Sequence, residues 1–451
     1  MTEKITSLID EKKYAEARKL LSEYNPADIA LLFSEFSDEK LPILFRILPK
    51  NIATDVFVEM PATQQETLIK SFSDFELKIV FDDLYLDDAV DIVEEMPEGV
   101  VKRILAHSSP EVRAQINHIL QYPKDSAGSI MTIEYVRLRK NITVNEAFDQ
   151  IKKTGVDKET IYTCYVTDEA RMLIGIVTAK TLLLSDRTAT IESIMETNVI
   201  YANTLDDKEE VARLFEKYGF LALPVVDKEQ RLVGIVTVDD AIEVIQEEAD
   251  EDIDKMAAIT PSEKPYLEQS VFSVWKSRIP WLLLLMVSAT VTGIIISGFE
   301  AALASSVVLT TFIPMLMGTG GNSGSQSSVT VIRGLSLGEI AFKDMFRVQW
   351  KELRISFLCG LTLGVVEFLK LWLVDSLLLG DPEITLSVAF TVSLTIFITV
   401  VVAKLVGSTL PILAQKIGFD PAVMASPFIT TIVDALSLVV FFNIAVAVLN
   451  L

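Results

Sequence analysis

Apolar residues recur with a period of twelve between residues 20 and 110. Pairs stand at Leu32/Phe33, Leu44/Phe45, Val56/Phe57, Leu68/Ile69, Val80/Phe81, Ile92/Val93 and Ile104/Leu105. A third apolar position closes the first six units at Phe36, Leu48, Met60, Phe72, Leu84 and Met96, and the residue after it is Ser37, Pro49, Pro61, Ser73, Tyr85 or Pro97. Positions i, i+1 and i+4 share one helix face, and Ser or Pro ends one helix and starts the next. The pattern predicts a superhelical stack of short helices, each burying its face against its neighbours. Such stacks serve as binding surfaces or levers rather than as enzymes.

Residues 129–245 carry a longer duplication. SIMTIEYVRLRKNITVNEAFDQI from Ser129 matches SIMETNVIYANTLDDKEEVARLF from Ser193, and the copies run on to apolar strands ending at Thr178 and Thr237. Short β-branched strands alternating with helices indicate a small α/β unit built twice. The pair resembles tandem CBS domains, a regulatory module that often binds adenine nucleotides between its copies. The second copy has the module's Thr-x-x-Asp at Thr237 and Asp240, where the acid often holds a ribose; the first has Thr181 in place of that acid. Nucleotide binding and a purely structural, dimerising role both stay open.

Residues 239–256 then read DDAIEVIQEEADEDIDKM. Asp240, Glu243, Glu247, Glu251 and Asp254 follow helical spacing and form one acidic stripe, with no Lys or Arg before Lys255. Like charges at that spacing oppose a helix by about 0.2–0.5 kcal/mol per pair. A solvated linker would fit such a run. Its position between a regulatory module and an apolar region favours a helix that repels itself until cations bind.

Five apolar stretches follow, at about 280–298, 303–332, 353–379, 384–412 and 422–449. Each reaches the roughly 20 residues needed to cross a bilayer. Lys276 and Arg278 precede the first, and Arg333, Lys343, Arg347, Lys351 and Arg354 lie between the second and third. Lys404 and Lys416 flank the fourth-to-fifth connection, whereas the loops near 299–302 and 375–383 have no basic residue. By the positive-inside rule the N-terminal half is cytoplasmic and the C-terminus is outside.

The formal charge of −22 excludes a nucleic-acid partner and suits a surface that gathers cations. The two cysteines, Cys164 and Cys359, offer neither a disulfide framework nor a thiolate metal site. The N-terminus is charged and lacks an apolar signal segment, so the first half is expected to stay in the cytosol. The two histidines, His107 and His118, fall in the helical repeat with no nucleophile pattern around them, so no enzyme is expected.

Two features inside the apolar stretches carry chemistry. PMLMGTGGNSGSQSS, from Pro314 to Ser328, is a Gly-rich polar break. It fits close helix packing, or an irregular backbone beside a water-filled path to which Asn322, Ser325 and Gln326 add polar groups. The second is Asp434, near the middle of the fifth stretch. An acid at that depth is costly unless it faces a polar cavity, which makes it a site hypothesis. Lys370 is its main basic counterpart, but Glu367 lies one turn from Lys370 and pairs with it more simply. Thr430 and Thr431 would add hydroxyls beside Asp434. One acid per chain suggests a dimer that places two in one pore. That arrangement suits Mg²⁺, which keeps its waters and is held through few carboxylates.

GTGGNSGSQ (Gly318–Gln326), GFDPAVMASPFITTIVDA (Gly418–Ala435), the CBS pair and the acidic helix together resemble the MgtE family of magnesium channels over essentially the whole chain. The resemblance implies a homodimer in a bacterial inner membrane, five spans per chain, a central pore and a CBS-to-membrane helix that acts as a gate. It implies that Asp434 binds hydrated Mg²⁺ in a pore lined by Gly318, Gly320, Gly321, Asn322, Gln326, Thr430 and Thr431. Regulatory Mg²⁺ is implied at Asp55, Asp87 and Asp91, with Asp240 and Glu243, and at Glu248, Glu251 and Asp252 facing Asp420. Two departures stand out: Gly219 replaces a family acid, and the nucleotide contacts around Thr163 and Lys180 are changed, so ATP regulation does not carry over automatically.

The expected architecture is therefore multidomain: an α-helical superhelix (1–125), an α/β tandem CBS pair (126–245), an acidic connecting helix (246–276) and an all-α five-span membrane domain (277–451). The expected function is Mg²⁺ uptake gated by cytoplasmic Mg²⁺. The alternative is a broader divalent-cation transporter or ion-coupled exchanger with the same sensor. A membrane-tethered nucleotide sensor would have no use for Asp434, and an anion channel would line its pore with amides or bases instead.

Overall fold

The computed structural model describes residues 2–262, 265–267, 269–380 and 382–450. They form two compact units, Met1–Ile245 and Gln246–Leu451.

The first unit begins with short helices: α1 (Thr2–Asp10), α2 (Tyr14–Leu21), α3 (Pro26–Phe33), α4 (Leu41–Ile47), α5 (Lys50–Val58), α6 (Ala62–Ser71), α7 (Asp74–Asp83), α8 (Leu86–Glu95), α9 (Glu98–His107) and α10 (Pro110–Ile119). The twelve-residue period fixes them. Pro49, Pro61 and Pro97 stand at the N-caps of α5, α6 and α9, where the missing N–H costs nothing. Ser73 caps α7 in a reciprocal box with Glu76. The apolar pairs are the core: Phe33, Leu44, Phe57, Leu68, Ile69, Phe81 and Ile104 are all fully buried.

Two three-stranded sheets follow. β1 (Tyr135–Arg139), β2 (Thr160–Thr167) and β3 (Leu173–Thr178) form the first, with α11 (Val144–Thr154), α12 (Ala179–Leu184) and α13 (Ile191–Ile194). β4 (Ala202–Asn203), β5 (Ala222–Val226) and β6 (Leu232–Thr237) form the second, with α14 (Lys208–Tyr218). In each sheet the first pairing is parallel and the second antiparallel.

The repeated Ser-Ile-Met has a structural reason. Thr132, after the first copy of it, exchanges both backbone hydrogen bonds with Ile235 of the second sheet, and Glu196, after the second copy, does the same with Ile176 of the first. The leaders are swapped. Met131 then lies over Gly234 and Met195 over Gly175, so closely that a Cβ on either glycine would stand 2.6 or 2.9 Å from the sulfur. One apolar core runs from Ile5 through the helices to Val236 and Val244 of the second copy.

α15 (Val238–Met256) starts at the end of β6 and crosses the boundary between the units. The acidic stretch is thus helical. It ends at Met256 rather than near 276, and the chain resumes a helix only at Val271.

The second unit holds α16 (Val271–Gly298), α17 (Glu300–Ser305), α18 (Ile313–Ser336), α19 (Met345–Leu369), α20 (Leu386–Lys416) and α21 (Ser426–Leu449). Lys370–Leu378 prolongs α19 as a π-helix. Four helical segments among the described residues are long and apolar enough to cross a membrane: Val271–Gly298, Phe342–Leu378, Leu386–Lys416 and Pro421–Leu449. The expected second stretch differs from the rest. It divides into α17, a 3-10 turn (Val307–Phe312) and α18. At 24 residues α18 is roughly 36 Å long, but its Gly and Ser content makes it less apolar than the other four. The expected break at Pro314–Ser328 is unbroken helix, because its glycines are used for packing. α20 lies against α18, α19 and α21, and α18 against α21.

Candidate metal sites

Each unit contains a group of acids whose placement local structure explains. In the first unit, the parallel pairing of β1 with β2 continues one residue outward, where Glu159 N–H donates to the Glu134 carbonyl at 2.9 Å. The two side chains are thereby neighbours. Opposite them α8 begins, and its first turn presents Asp87 and Asp88. Glu134 accepts the otherwise unpaired N–H of Leu86 at 3.3 Å, so the α8 N-terminus is capped from the CBS module. One oxygen each of Asp87, Glu134 and Glu159 lies within 4.8 Å of the others.

Electrostatics show the strain of this crowding. Burial, then the charge of Asp240, holds the buried Asp87 carboxyl well above the usual range. The same causes push Asp88 up to about 7. Burial, then Asp239 and Asp88, pushes Glu159 up to about 8. Asp240 rises to about 7 through burial, although the Thr237 hydroxyl, donating at 2.6 Å, favours its charged form. Asp91 keeps considerable solvent-exposed surface yet stands in a dense surround. Desolvation, then Asp240 and Glu243, raises it well above normal. The charged groups that act most strongly on Asp87, Asp88, Asp91 and Glu159 are all carboxylates. Two ionised carboxylates about 5 Å apart repel by roughly 3 kcal/mol at an effective dielectric of about 20.

Asp87, Asp91, Asp240 and Glu243, expected from sequence, thus meet in one cluster. Asp55 is exposed at its rim, where its charge joins burial, Glu159 and Glu134 in raising the Tyr85 hydroxyl. Glu134, Glu159 and Asp88 were not anticipated. Among the described residues Glu159 Oε2 is buried without a hydrogen-bond partner.

In the second unit the C-terminal part of α15 makes a different contact. Lys255 lies 2.6 Å from both Glu251 and Asp420. Burial opposes its charge, but hydrogen bonds to Asp420 and Glu251 prevail and hold the ammonium above its ordinary range. Asp252 accepts from the Ser336 hydroxyl at 3.0 Å, and its carboxyl is raised by burial. Asp420 also caps the turn after it by accepting from Ala422 N–H at 2.8 Å. Glu251 and Asp420 therefore meet as expected, but through an ammonium group. Glu248 stands one turn before Asp252.

Asp434 is on α21, partly buried, and its Oδ1 is buried without a hydrogen-bond partner. Lys370 is engaged elsewhere, 2.9 Å from Asp375 and 3.7 Å from Glu367. Close packing of α18 brings backbone near the acid's turn of helix. A Cβ at Gly321 would stand 2.8 Å from the Thr430 methyl, and one at Gly320 2.6 Å from Ser437 Oγ. Thr431 donates to Pro427 O of its own helix at 3.0 Å. The residues expected in one pore wall divide by helix face. Gly320 and Gly321 pack on α21. Asn322 and Gln326 line a cavity of about 500 Å³ with α19 and α20, while Gly318 has open space where its Cβ would be.

The chain is 37% identical over 431 residues to a magnesium transporter MgtE of Thermus thermophilus, covering 95% of this chain and 94% of the relative. The chain belongs to the MgtE family. The MgtE of Bacillus subtilis is 34% identical over 99% of this chain and 97% of its own length. Family profiles match residues 313–444 (MgtE, divalent cation transporter), 24–125 (MgtE intracellular N domain), and 127–186 and 191–247 (CBS domain). A solved cytosolic domain of the Mg²⁺ channel MgtE in complex with ATP is 34% identical, with a TM-score of 0.52, and covers 54% of this chain and all of that one. The soluble part of a magnesium transporter gives the same TM-score at 28% identity, covering 55% of this chain and 98% of that one. MgtE proteins are magnesium transporters, not enzymes, and the Gly-rich α18 and Asp434 both fall within the matched transporter region.

Proposed function

We propose that the chain is a Mg²⁺-selective channel of the bacterial inner membrane that takes up Mg²⁺ and is closed by cytoplasmic Mg²⁺. In this reading α18 is a fifth span, its polar face shielded in a homodimer. The helical repeat forms a superhelical lever on the cytoplasmic side, the C-terminus lies outside, and Asp434 receives the hydrated ion. The observation that carries the proposal is Asp434 Oδ1, buried with no hydrogen-bond partner among the described residues, on the part of α21 where Thr430, Val433 and Ser437 pack against the α18 glycines, in a chain whose relatives are magnesium transporters. Asp87, Glu134 and Glu159, with Asp88, Asp91, Asp240 and Glu243 around them, fit a hard cation, since all offer carboxylate oxygens. A bound regulatory Mg²⁺ would supply the charge that their crowding lacks. Glu248, Glu251, Asp252 and Asp420 form a second acidic group, in which Lys255 already neutralises one side.

The test is Mg²⁺ flux into liposomes. Asp434→Ala should abolish flux while the purified dimer remains folded, and Asp434→Asn should reduce it strongly. Wild-type flux in a folded Asp434→Ala protein would end this reading. Imposing and removing an ion gradient separates a channel from an ion-coupled exchanger, and competition with Mn²⁺, Co²⁺ and Ca²⁺ tests selectivity.

A nucleotide is a second reading, favoured by the ATP held in the related cytosolic domain. Against it, Asp240 is bound by Thr237, and the corresponding Thr181 offers only a hydroxyl, 2.9 Å from Thr178 Oγ1. Calorimetric titration of the full chain with ATP decides between them.

A further inference from the structure

The N-terminal end of α19 carries a stripe that ion transport does not use. Lys343, just before the helix, and Arg347, Lys351 and Arg354 follow spacings of four, four and three, which keep them on one side of a helical path. All four are exposed, and the acid beside them just before the helix, Asp344, is half-buried and accepts from Ala341 N–H at 3.2 Å. The one acid on this stretch of helix, Glu352, points the other way and is buried, accepting from Ser327 at 2.6 Å. Among the described residues none of the four basic side chains has an ion-pair partner.

Aromatic and apolar groups accompany the charges. Phe346 is 87% exposed and Trp350 60% exposed. Arg354 Nε donates to Trp350 O at 3.3 Å, and its guanidinium lies 5.7 Å from the Trp350 ring centroid, so the charge is held upright beside the indole. Beyond it Leu353, Phe357 and Leu358 join Trp350 and Arg354 around an open groove of about 390 Å³. From Lys343 to Arg354 the stripe is roughly 16 Å long at 1.5 Å per residue, enough to run through a headgroup region about 5–8 Å deep and reach past it on both sides.

We propose that this stripe is a binding site for an anionic phospholipid. The headgroup phosphate is paired by Arg347, Lys351 and Arg354, Trp350 sits at the boundary, and an acyl chain lies along Leu353, Phe357 and Leu358. Charge complementarity selects the occupant: unpaired cations beside lipid-facing apolar groups fit a phosphodiester attached to a hydrocarbon chain. A set of charges that served orientation alone would need no groove and no stacked guanidinium. Free phosphate has no use for the apolar half.

The test uses the full chain with Trp275, Trp281 and Trp372 changed to Phe, leaving Trp350 as the sole reporter. It is placed in phosphatidylcholine vesicles containing a brominated phosphatidylglycerol or, separately, a brominated phosphatidylcholine. Half-maximal quenching should need about a hundredfold less of the anionic lipid, as expected for three basic groups each worth about 1 kcal/mol at a surface. R347A/K351A/R354A in the same background should erase the difference, while millimolar inorganic phosphate should not. Equal quenching by both lipids, or a preference that survives the triple substitution, would overturn the proposal. Loss of the preference in phosphate would identify an anion site without lipid, and shielding from both lipids would place a second copy of the chain over the stripe. Either result also overturns it. Native mass spectrometry of the chain with all four tryptophans supplies an independent reading: retained phosphatidylglycerol should exceed retained phosphatidylcholine, and R347A/K351A/R354A should equalise them.

Discussion

Leu86 N–H donates to the Glu134 carboxylate at 3.3 Å, joining the first turn of a helical-repeat helix to the CBS module. The same glutamate brings an oxygen within 4.8 Å of Asp87 and Glu159. One residue thus both caps α8 and adds negative charge to a cluster that resists it. Bringing the two modules together without a cation is costly at the place where they touch. In the function proposed above, this repulsion is what a regulatory cation would relieve.

Glu134→Gln should preserve an acceptor for Leu86 N–H while removing one charge. In EDTA the variant is expected to resist proteolysis across residues 110–130 better than the unaltered chain, because repulsion falls. With saturating Mg²⁺ the order should reverse, because a ligand is missing. Parallel cleavage rates for the two proteins in both conditions would show that Glu134 caps and nothing more.

Acidity should act on the same contact. Asp88 and Asp240 are raised to about 7 and Glu159 to about 8, above the usual carboxylate values near 4. The folded cluster therefore holds protons that separated acids release between about pH 4 and 8, and this contribution to stability falls as pH rises through that window. In EDTA the melting temperature of the first unit should drop from pH 5.5 to 8. Millimolar Mg²⁺ should flatten the slope, since a bound cation takes over the protons' role. A melting temperature insensitive to pH in EDTA would contradict this account.

Much of the architecture was legible because it rests on periodicity. The twelve-residue repeat located the short helices, and Pro49, Pro61, Pro97 and Ser73 marked their starts. The duplicated Ser-Ile-Met located two equivalent units, although their exchange of leaders required the backbone pairing of Thr132 with Ile235. Glu134 and Glu159 were invisible because each is an ordinary polar residue at a strand edge, and only parallel pairing unites them. An acid immediately before each of two strands expected to pair would have been the available signal. Lys255 was read as the end of an acidic run, whereas its reach to Asp420 depends on tertiary structure. The Gly-rich segment reads as a polar break because Asn322, Ser325 and Gln326 stand among its glycines, a pattern that fits irregular backbone beside water as well as close helix packing. Packing against α20 and α21 makes it continuous helix here.

That packing gives a test of α18. A Cβ on Gly407 would collide with the backbone carbonyl of Gly324, and a backbone atom cannot turn aside as a side-chain end can. Gly407→Ala should therefore lower the melting temperature of the membrane unit in detergent, by about 1–3 kcal/mol in stability. Gly318→Ala, at a position with no neighbour within 4 Å, should be nearly neutral to the fold. Equal effects of the two substitutions would refute the close crossing at Gly324 and Gly407.

Lys255 provides the last test, because it lies between two of the acids proposed above to hold a regulatory divalent ion. Its ammonium touches Glu251 and Asp420 at 2.6 Å each, one charge shared between two carboxylates. Lys255→Met keeps most of the apolar stem and removes the charge, leaving the acids to repel. In EDTA the segment from 257 to 270 should then be cut faster than in the unaltered chain, since α15 loses its tie to Asp420. Mg²⁺ carries two charges and can bridge both carboxylates, so it should restore resistance more fully than an equal ionic strength of Na⁺, which only screens. If Mg²⁺ binding at this place excludes the ammonium, the variant should also need less Mg²⁺ for half-maximal protection. Protection by Na⁺ equal to that by Mg²⁺ would mean that screening alone governs the contact, and that Glu251 and Asp420 hold no divalent ion.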